Sequence, residues 1–404
     1  MFPSNFNFAF ADPSPCFSKT YWAKLSTLKI IFRSAAVDSV GEALRQFDEG
    51  EIDSDFVLIS GDVVSNMDLQ KAFLRHHQIR KKDKTVLMSS VFKKASPHHR
   101  SRAGEDTTIV ALRKQTHQLL HLDNSSSAEV NVQHELFKEK GEIELRYDLF
   151  DCHIDLCSAD VINVFQDEFD WRDLRKDFIL GILESEILNY KVHVQVLEDE
   201  YAARVRSLNT YAAISRDIVC RWSFPLVPDS NISGFMWDQS SYSYTRPNIY
   251  MEQGVQLDRT SQIQRGTVVG SGTSVGEDSV LKNSVIGRNC TIGNQVTITN
   301  SFLWDNVVVE DGCSIVDSIV CCRATVKSGC KVSSGCILSF DCTLGPDTVL
   351  EPQTKITVKN LLKFNDFKNP TEPIDIGEGG KGFRWCYDEG DPTNSLSMHS
   401  LPPE

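Results

Sequence analysis

Aliphatic residues return every six positions through the second half of the chain. Ile263, Val269, Val275 and Leu281 are six apart, as are Ile286, Ile292 and Ile298, then Val309 and Ile315, then Val326, Val332, Leu338, Leu344, Leu350 and Ile356. Three steps are five instead: Leu281 to Ile286, Ile298 to Leu303 and Ile315 to Val320. Two sixes and a five make 17, and Val275, Ile292, Val309 and Val326 stand 17 apart, as do Asn283-Ser284, Asn300-Ser301 and Asp317-Ser318. A fixed echo of this kind predicts stacked coils. Each rung is a short strand with its aliphatic anchor turned inward, paired in parallel with the same rung of the next coil about 4.8 Å away. The expectation is a three-sided parallel β-solenoid from Ile263 to Ile356, with about five coils in a rod about 25 Å long. Val275, Ile292, Val309 and Val326 are its structural anchors. Gly270, Gly276, Gly287, Gly293, Gly312, Gly329, Gly335 and Gly345 are assigned to corners that need unusual backbone angles. A β-sandwich alternates at two and carries no such echo.

Upstream, helical and strand periods alternate, which predicts an α/β domain with a largely parallel sheet. Asp38 to Asp48 opens on an N-cap and places Val40, Ala43, Leu44 and Phe47 on one face, so it reads as a helix. Asp55 to Ser60 reads as a fully buried strand ending in Gly61-Asp62, followed by a helix through Leu69, Ala72 and Phe73. Further strands are expected at Thr85 to Phe92, Thr108 to Leu112, Ile143 to Leu149 and Lys191 to Val196. Helices are expected at Ala159 to Phe165, Leu174 to Leu183 and Thr210 to Trp222. A solenoid exposes sheet edges at its ends. The preceding domain is expected to cover one end, and Asn360 to Phe367 to fold over the other. The rest of the tail, acidic and rich in Pro, Gly and Ser, is expected to be disordered.

With 404 residues the chain has material for two cores. No apolar run reaches the length of a membrane span, and the N-terminus carries no basic region leading into an apolar stretch, so a cytosolic protein is expected. A net charge of −13 argues against nucleic-acid binding over the whole surface. The stretch from Lys71 to Arg102 is a local exception, gathering Arg75, Arg80, Lys81, Lys82, Lys84, Lys93, Lys94, Arg100 and four histidines. It reads either as a solvated helix face running into a basic loop or as a docking patch for an acidic partner. Seven of the 12 cysteines fall inside the solenoid, and Cys330, Cys336 and Cys342 recur at its rung period. That spacing suits small buried residues in a column better than metal ligands or disulfides, and no metal or cofactor is expected.

Asp62 follows a strand, where open α/β sheets bind ligands and where sugar-nucleotide transferases hold a divalent metal. No glycine-rich phosphate loop precedes it. Asp62 therefore reads as a vestigial metal position. A solenoid acyltransferase needs a histidine base among its coils, yet none occurs between His193 and His399.

An α/β domain followed by a hexapeptide solenoid resembles sugar-nucleotide pyrophosphorylases and their relatives. Seven ordered motifs narrow this: DFVLISGDVVSN at 55–66, RYDLFDCHIDLCS at 146–158, EYAARVRSLNTY at 200–211, RWSFPLVPD at 221–229, RPNIY at 246–250, FLWDNVVV at 302–309 and KGFRW at 381–385. Together they resemble the epsilon subunit family of eukaryotic translation initiation factor 2B. The resemblance implies a nucleotidyltransferase-like, Rossmann-type domain, N-terminally truncated, followed by a left-handed parallel β-helix of hexapeptide repeats. It implies a divergent segment at 1–21, the α/β domain at 22–250, the β-helix at 251–360 and an acidic tail at 361–404. It also implies a guanine-nucleotide exchange factor subunit, not an enzyme, that joins the gamma and other subunits of the complex and acts on initiation factor 2. The family's opening strand, glycine-bearing loop, first helix and C-terminal helical exchange domain are expected to be missing, leaving assembly and substrate-factor binding. An Asn-Phe pair in the family contacts the substrate factor, and Asn231 and Ile232 match it. The alternative is a pyrophosphorylase-like nucleotidyltransferase.

Overall fold

The structure, a computed structural model, describes residues 5–10, 29–34, 37–47, 51–96, 99–102, 108–123, 141–185, 187–230, 242–358 and 371–386. It divides into two compact units, residues 1–204 and 205–404.

In chain order the first unit contains β1 (Asn5–Phe10), β2 (Lys29–Ser34), α1 (Val40–Arg45), β3 (Phe56–Ile59), β4 (Val63–Ser65), α2 (Leu69–Lys82), β5 (Val86–Lys94), β6 (Ile109–Arg113), β7 (Leu119–Asp123), β8 (Ile143–Arg146), β9 (Leu149–Cys157), α3 (Asp160–Asp167), a π-helical stretch (Leu174–Ile179) running into α4 (Leu180–Glu184), β10 (Lys191–Leu197) and β11 (Ala202–Arg204). Its main sheet has the order β10-β5-β9-β3. Strand β10 runs parallel to β5, but β9 is antiparallel to both neighbours, so the sheet is mixed and not largely parallel. The hydrophobic pattern misses β9 because Asp151, His153 and Asp155 interrupt it with polar residues that are needed inside. The single strand expected at Ile143 to Leu149 is instead β8 and the start of β9, which belong to different sheets. Strand β3 lies at the sheet's edge and is half-exposed, not fully buried. The pattern predicts neither β1 nor β2, which pair in parallel with each other.

Sheet faces and helices follow from side-chain alternation. Leu44 and Phe47 of the first helical segment pack with Phe92, Val161, Phe165 and Phe178. On the other face Phe150, Cys152, Ile154 and Leu156 meet Ala72 of α2. Arg45 clasps the end of α3 and the chain that follows, donating to the carbonyls of Phe165, Glu168, Phe169 and Trp171 at 2.5–3.1 Å.

The solenoid occupies the second unit and starts one turn earlier than the repeat suggests. Seven rungs stack on its first face, beginning with Tyr250, which makes six turns where about five were expected. Val275, Ile292, Val309 and Val326 lie in register in one buried column, as expected. The 17-residue period holds only for the three middle turns. Tyr250 pairs with Val268, Ile319 with Ile337 and Ile337 with Lys355, each 18 apart. Two positions before most anchors the residue is small and buried, as at Cys290, Cys313, Cys330, Cys336 and Cys342, so these five cysteines are packing residues.

The glycine assignment needs correction. Gly312, Gly329 and Gly335 have positive φ, but the left-handed corners fall mostly to other residues, among them Asn283, Asn289, Asn300, Asn306 and Asp317. Short amide and carboxylate side chains tolerate that conformation better than other L residues. Gly270 serves close approach: a Cβ there would lie 2.7 Å from the carbonyl of Gly287 in the next turn.

The outward residues of the first face are apolar, including Val268, Val285, Phe302 and Ile319, and helix α5 (Leu208–Val219) covers them. Ala212 and Tyr211 pack on Phe302 and Ile319, and Val219 packs on Val268. The helix therefore belongs to the solenoid unit, and the expected domain boundary at 250 moves back to 204. Its start is fixed by a capping box between Ser207 and Thr210. On this face the N-terminal edge is occupied by β12 (Ser243–Thr245), antiparallel to β13 (Ile249–Met251). At the other end residues 371–386, expected to be disordered, form a plug. Phe383–Trp385 pairs antiparallel with the last rung, Thr371–Pro373 pairs with it in turn, and Ile376 enters the core. The acidic composition of this segment hides a single buried isoleucine and two edge pairings. Residues 359–370, which contain the whole of the expected fold-over, lie outside the described residues.

Ile292→Asp places an unpaired carboxylate in a core shared by adjacent turns. It is expected to lower the solenoid's melting temperature by about 10 °C or more. Asn294→Asp is expected to change it little, because the exposed Asn294 Oδ1 accepts the Glu277 N–H and a carboxylate oxygen can do the same. Equal melting curves for Ile292→Asp and the parent chain refute the register.

Candidate functional site

The polar groups of the first unit converge near the start of the β3–β4 turn. Pairing of β9 with β5 slips there: Ser90 faces Asp155 while Phe92 faces Asp151, so β9 carries extra residues and bulges. His153, inside the bulge, has φ 50°, a left-handed conformation rare for its type. Alternation turns Asp151 and Asp155 to the same side of β9. Arg175 meets them from the π-helical stretch, whose N-terminus Asp173 caps by accepting from the Arg175 and Lys176 amides.

Arg175 is buried, and its Nη2 donates to both Asp151 and Asp155 at 2.9 Å while its Nε also donates to Asp151. Burial alone raises the Asp151 pKa, but the Arg175 charge and hydrogen bonds overcome it and hold the carboxyl well below the usual range. Burial likewise opposes the charge on Arg175, and the two carboxylates more than offset it, raising its pKa further. His153 responds in the opposite sense: burial lowers its pKa against the pull of Asp151, leaving the ring neutral at pH 7. Its Nδ1 lies 3.5 Å from Ser60 Oγ, and its Nε2 lies 3.6 Å from Asp151 Oδ2.

Asp62 stands in the turn just beyond β3. Strand β11 pairs with β4 so that Arg204 lies opposite Val63. That register brings Arg204 Nη2 to 2.8 Å from Asp62 Oδ2. Asp151, Asp155 and Asp62 are thus each paired with a guanidinium, which a divalent cation would have to displace. Among the described residues no group of three or more His, Cys, Asp or Glu side chains is arranged to hold a metal.

Sequence reasoning found Asp62 and missed Arg204, Arg175, Asp151 and Asp155. The alternating acids in DCHID were a signal that a strand carried polar residues on one face, but their buried partner lies 20 or more positions away. Asn231 and Ile232 lie outside the described residues. The basic stretch loses two of its cations to structural work. Arg80 pairs with Asp55 and Asp160, and Arg102 is buried and donates to the Leu149 and Ala95 carbonyls.

Residues 246–350, nearly the whole solenoid, match a family model described as the EIF2B subunit epsilon LbH domain. Two curated proteins carry the likeness further. The translation initiation factor eIF2B subunit epsilon of Dictyostelium discoideum is 47% identical over 239 residues, 58% of this chain. That of Schizosaccharomyces pombe is 45% identical over 222 residues, 54% of this chain. The chain is similar to eIF2B subunit epsilon. The aligned part spans about a third of each relative's own length, 33% and 32%. The family model's solenoid and the observed six turns agree, and the same unit carries α5 and the plug around Phe383–Trp385. No helix among the described residues is long and apolar enough to cross a membrane.

Arg175→Leu leaves two buried carboxylates without a partner and is expected to destabilise the first unit by about 3–5 kcal/mol. Adding Asp151→Asn and Asp155→Asn to it is expected to recover part of the loss. Denaturant unfolding of the single and triple variants measures both effects. A triple variant no more stable than Arg175→Leu argues against an electrostatic origin.

Proposed function

We propose that this chain serves in an eIF2B-type assembly that promotes GDP/GTP exchange on initiation factor 2, acting in assembly and substrate-factor binding. The match of the solenoid to the epsilon LbH domain, continued at 45–47% identity in the relatives, supports this most strongly. The gamma subunit is the expected direct partner, and initiation factor 2 the substrate factor. Asn231 and Ile232 are the proposed contact with it. The Ile232 side chain supplies less apolar area than the phenylalanine implied by the family resemblance, so the contact rests more on the Asn231 amide. Exchange itself is proposed to need surfaces other than these, and the setting is proposed to be the cytosol.

The pyrophosphorylase-like alternative requires Asp62 to bind a metal beside nucleotide phosphates. Its pairing with Arg204 opposes that role.

Two measurements on one preparation test the proposal. Co-expression with the gamma subunit is expected to give a stable heterodimer burying more than about 1,000 Å². Stopped-flow measurement of GDP release from initiation factor 2 is expected to stay at the basal rate with this chain alone. Failure to pair, or accelerated release by the chain alone, refutes the division of labour. Calorimetry with magnesium and nucleoside triphosphates is expected to give no saturable heat. A saturable site abolished by Asp62→Ala would restore the alternative.

A further inference from the structure

The turn that follows α5 displays a row of large apolar side chains. Trp222 is 70% exposed, Phe224 57% and Leu226 39%, while Ser223 and Val227 between and beside them are buried. The turn is held in place from below. Ser223 Oγ donates to the Leu226 carbonyl at 2.7 Å, and Arg221 Nη1 donates to Asp229 at 2.7 Å. The Arg221 guanidinium lies 5.6 Å from the Phe224 ring centre and 4.8 Å from that of Tyr244, which joins the turn and β12 into one surface. All three residues of β12 are exposed, and among the described residues it pairs on one side only, with β13. Arg246, just after β12, is exposed and meets no carboxylate among the described residues.

We propose that this shelf docks an extended, acidic segment of a partner protein, which adds as a strand to the free edge of β12 and lays aliphatic side chains against Trp222, Phe224 and Tyr244. Exposed Trp, Tyr and Arg on a pre-fixed backbone form the composition in which binding energy concentrates. The unpaired edge supplies main-chain hydrogen bonds in a fixed direction. Charge selects the occupant: Asp229 neutralises Arg221, and the exposed Arg246, which meets no carboxylate among the described residues, favours a segment bearing Asp or Glu. Single-stranded RNA also stacks on aromatic rings, but it needs a groove of cations that tracks the phosphates, and one exposed arginine does not make one. The occupant follows from the shelf's own chemistry and does not depend on membership of an eIF2B-type complex.

The test begins with random peptides displayed on phage and selected on the immobilised full chain. Enriched peptides and an oligouridylate are then titrated by fluorescence anisotropy. Enriched sequences are expected to combine Asp or Glu with aliphatic residues, to bind Trp222→Ala and Tyr244→Ala at least about tenfold more weakly, and to lose affinity to Arg246→Glu. These side chains are exposed, so the variants should keep the parent melting temperature, and Ile187→Ala, an exposed apolar residue of the other unit, should bind like the parent. Hydrogen exchange at Ser243–Thr245 should slow on binding. Basic or wholly apolar consensus sequences, affinities unchanged in Trp222→Ala, binding of the oligouridylate alone, or no enrichment at all would each overturn the proposal.

Discussion

Vertical register governs the solenoid unit. Each rung donates its amides to the carbonyls of the rung above, as Val285 does to Ser301 and Phe302 to Ser318, so every inward position is repeated directly over its equivalent. A residue too large at one level collides with the next level before it meets anything else. That explains the small buried residues before most anchors. It also explains why a Cβ at Gly270 or Gly287 would run into the backbone of the following turn. Turns of 17 and 18 residues coexist because the extra residue is absorbed at a corner, leaving the strands in register.

The same register decides what lies outside. Stacking repeats one outward residue type along a face, and on the first face that type is apolar, so a helix must cover it. Helix α5 does so, closing with Trp304 Nε1 donating to the Tyr211 hydroxyl at 3.2 Å. The ends of the same sheet are protected by antiparallel strands, which break the parallel template that a further copy could extend. The plug near Phe383–Trp385 and the hairpin strand β12 are thus consequences of building a rod, and one of them leaves the exposed edge beside Trp222.

The first unit is organised on a different principle. A strand with buried carboxylates sits in the middle of its sheet, and the cost of burying them is offset by a guanidinium from a helix distant in sequence. Two further arginines do comparable work: Arg45 satisfies the carbonyls at the end of a helix, and Arg204 holds the Asp62 carboxylate in the turn after β3. Positive groups read as a solvated surface or a docking patch in the linear sequence are, at Arg80 and Arg102, internal fasteners.

The six-residue spacing alone carried the solenoid, its anchors and the packing role of its cysteines, because stacked equivalent positions must repeat in the chain as they repeat in space. Helices with a cap and one apolar face were legible for the same local reason. Strand β9, the ownership of α5, the ordered plug and the pairing of Asp62 with Arg204 were not. Each depends on a partner far away in the chain: a buried acid becomes acceptable only when Arg175 arrives, and an apolar helix face finds its place only once Phe302 and Ile319 have been lined up by stacking. Local periodicity reports the environment a residue repeats, whereas pairing energy belongs to residues that only folding brings together.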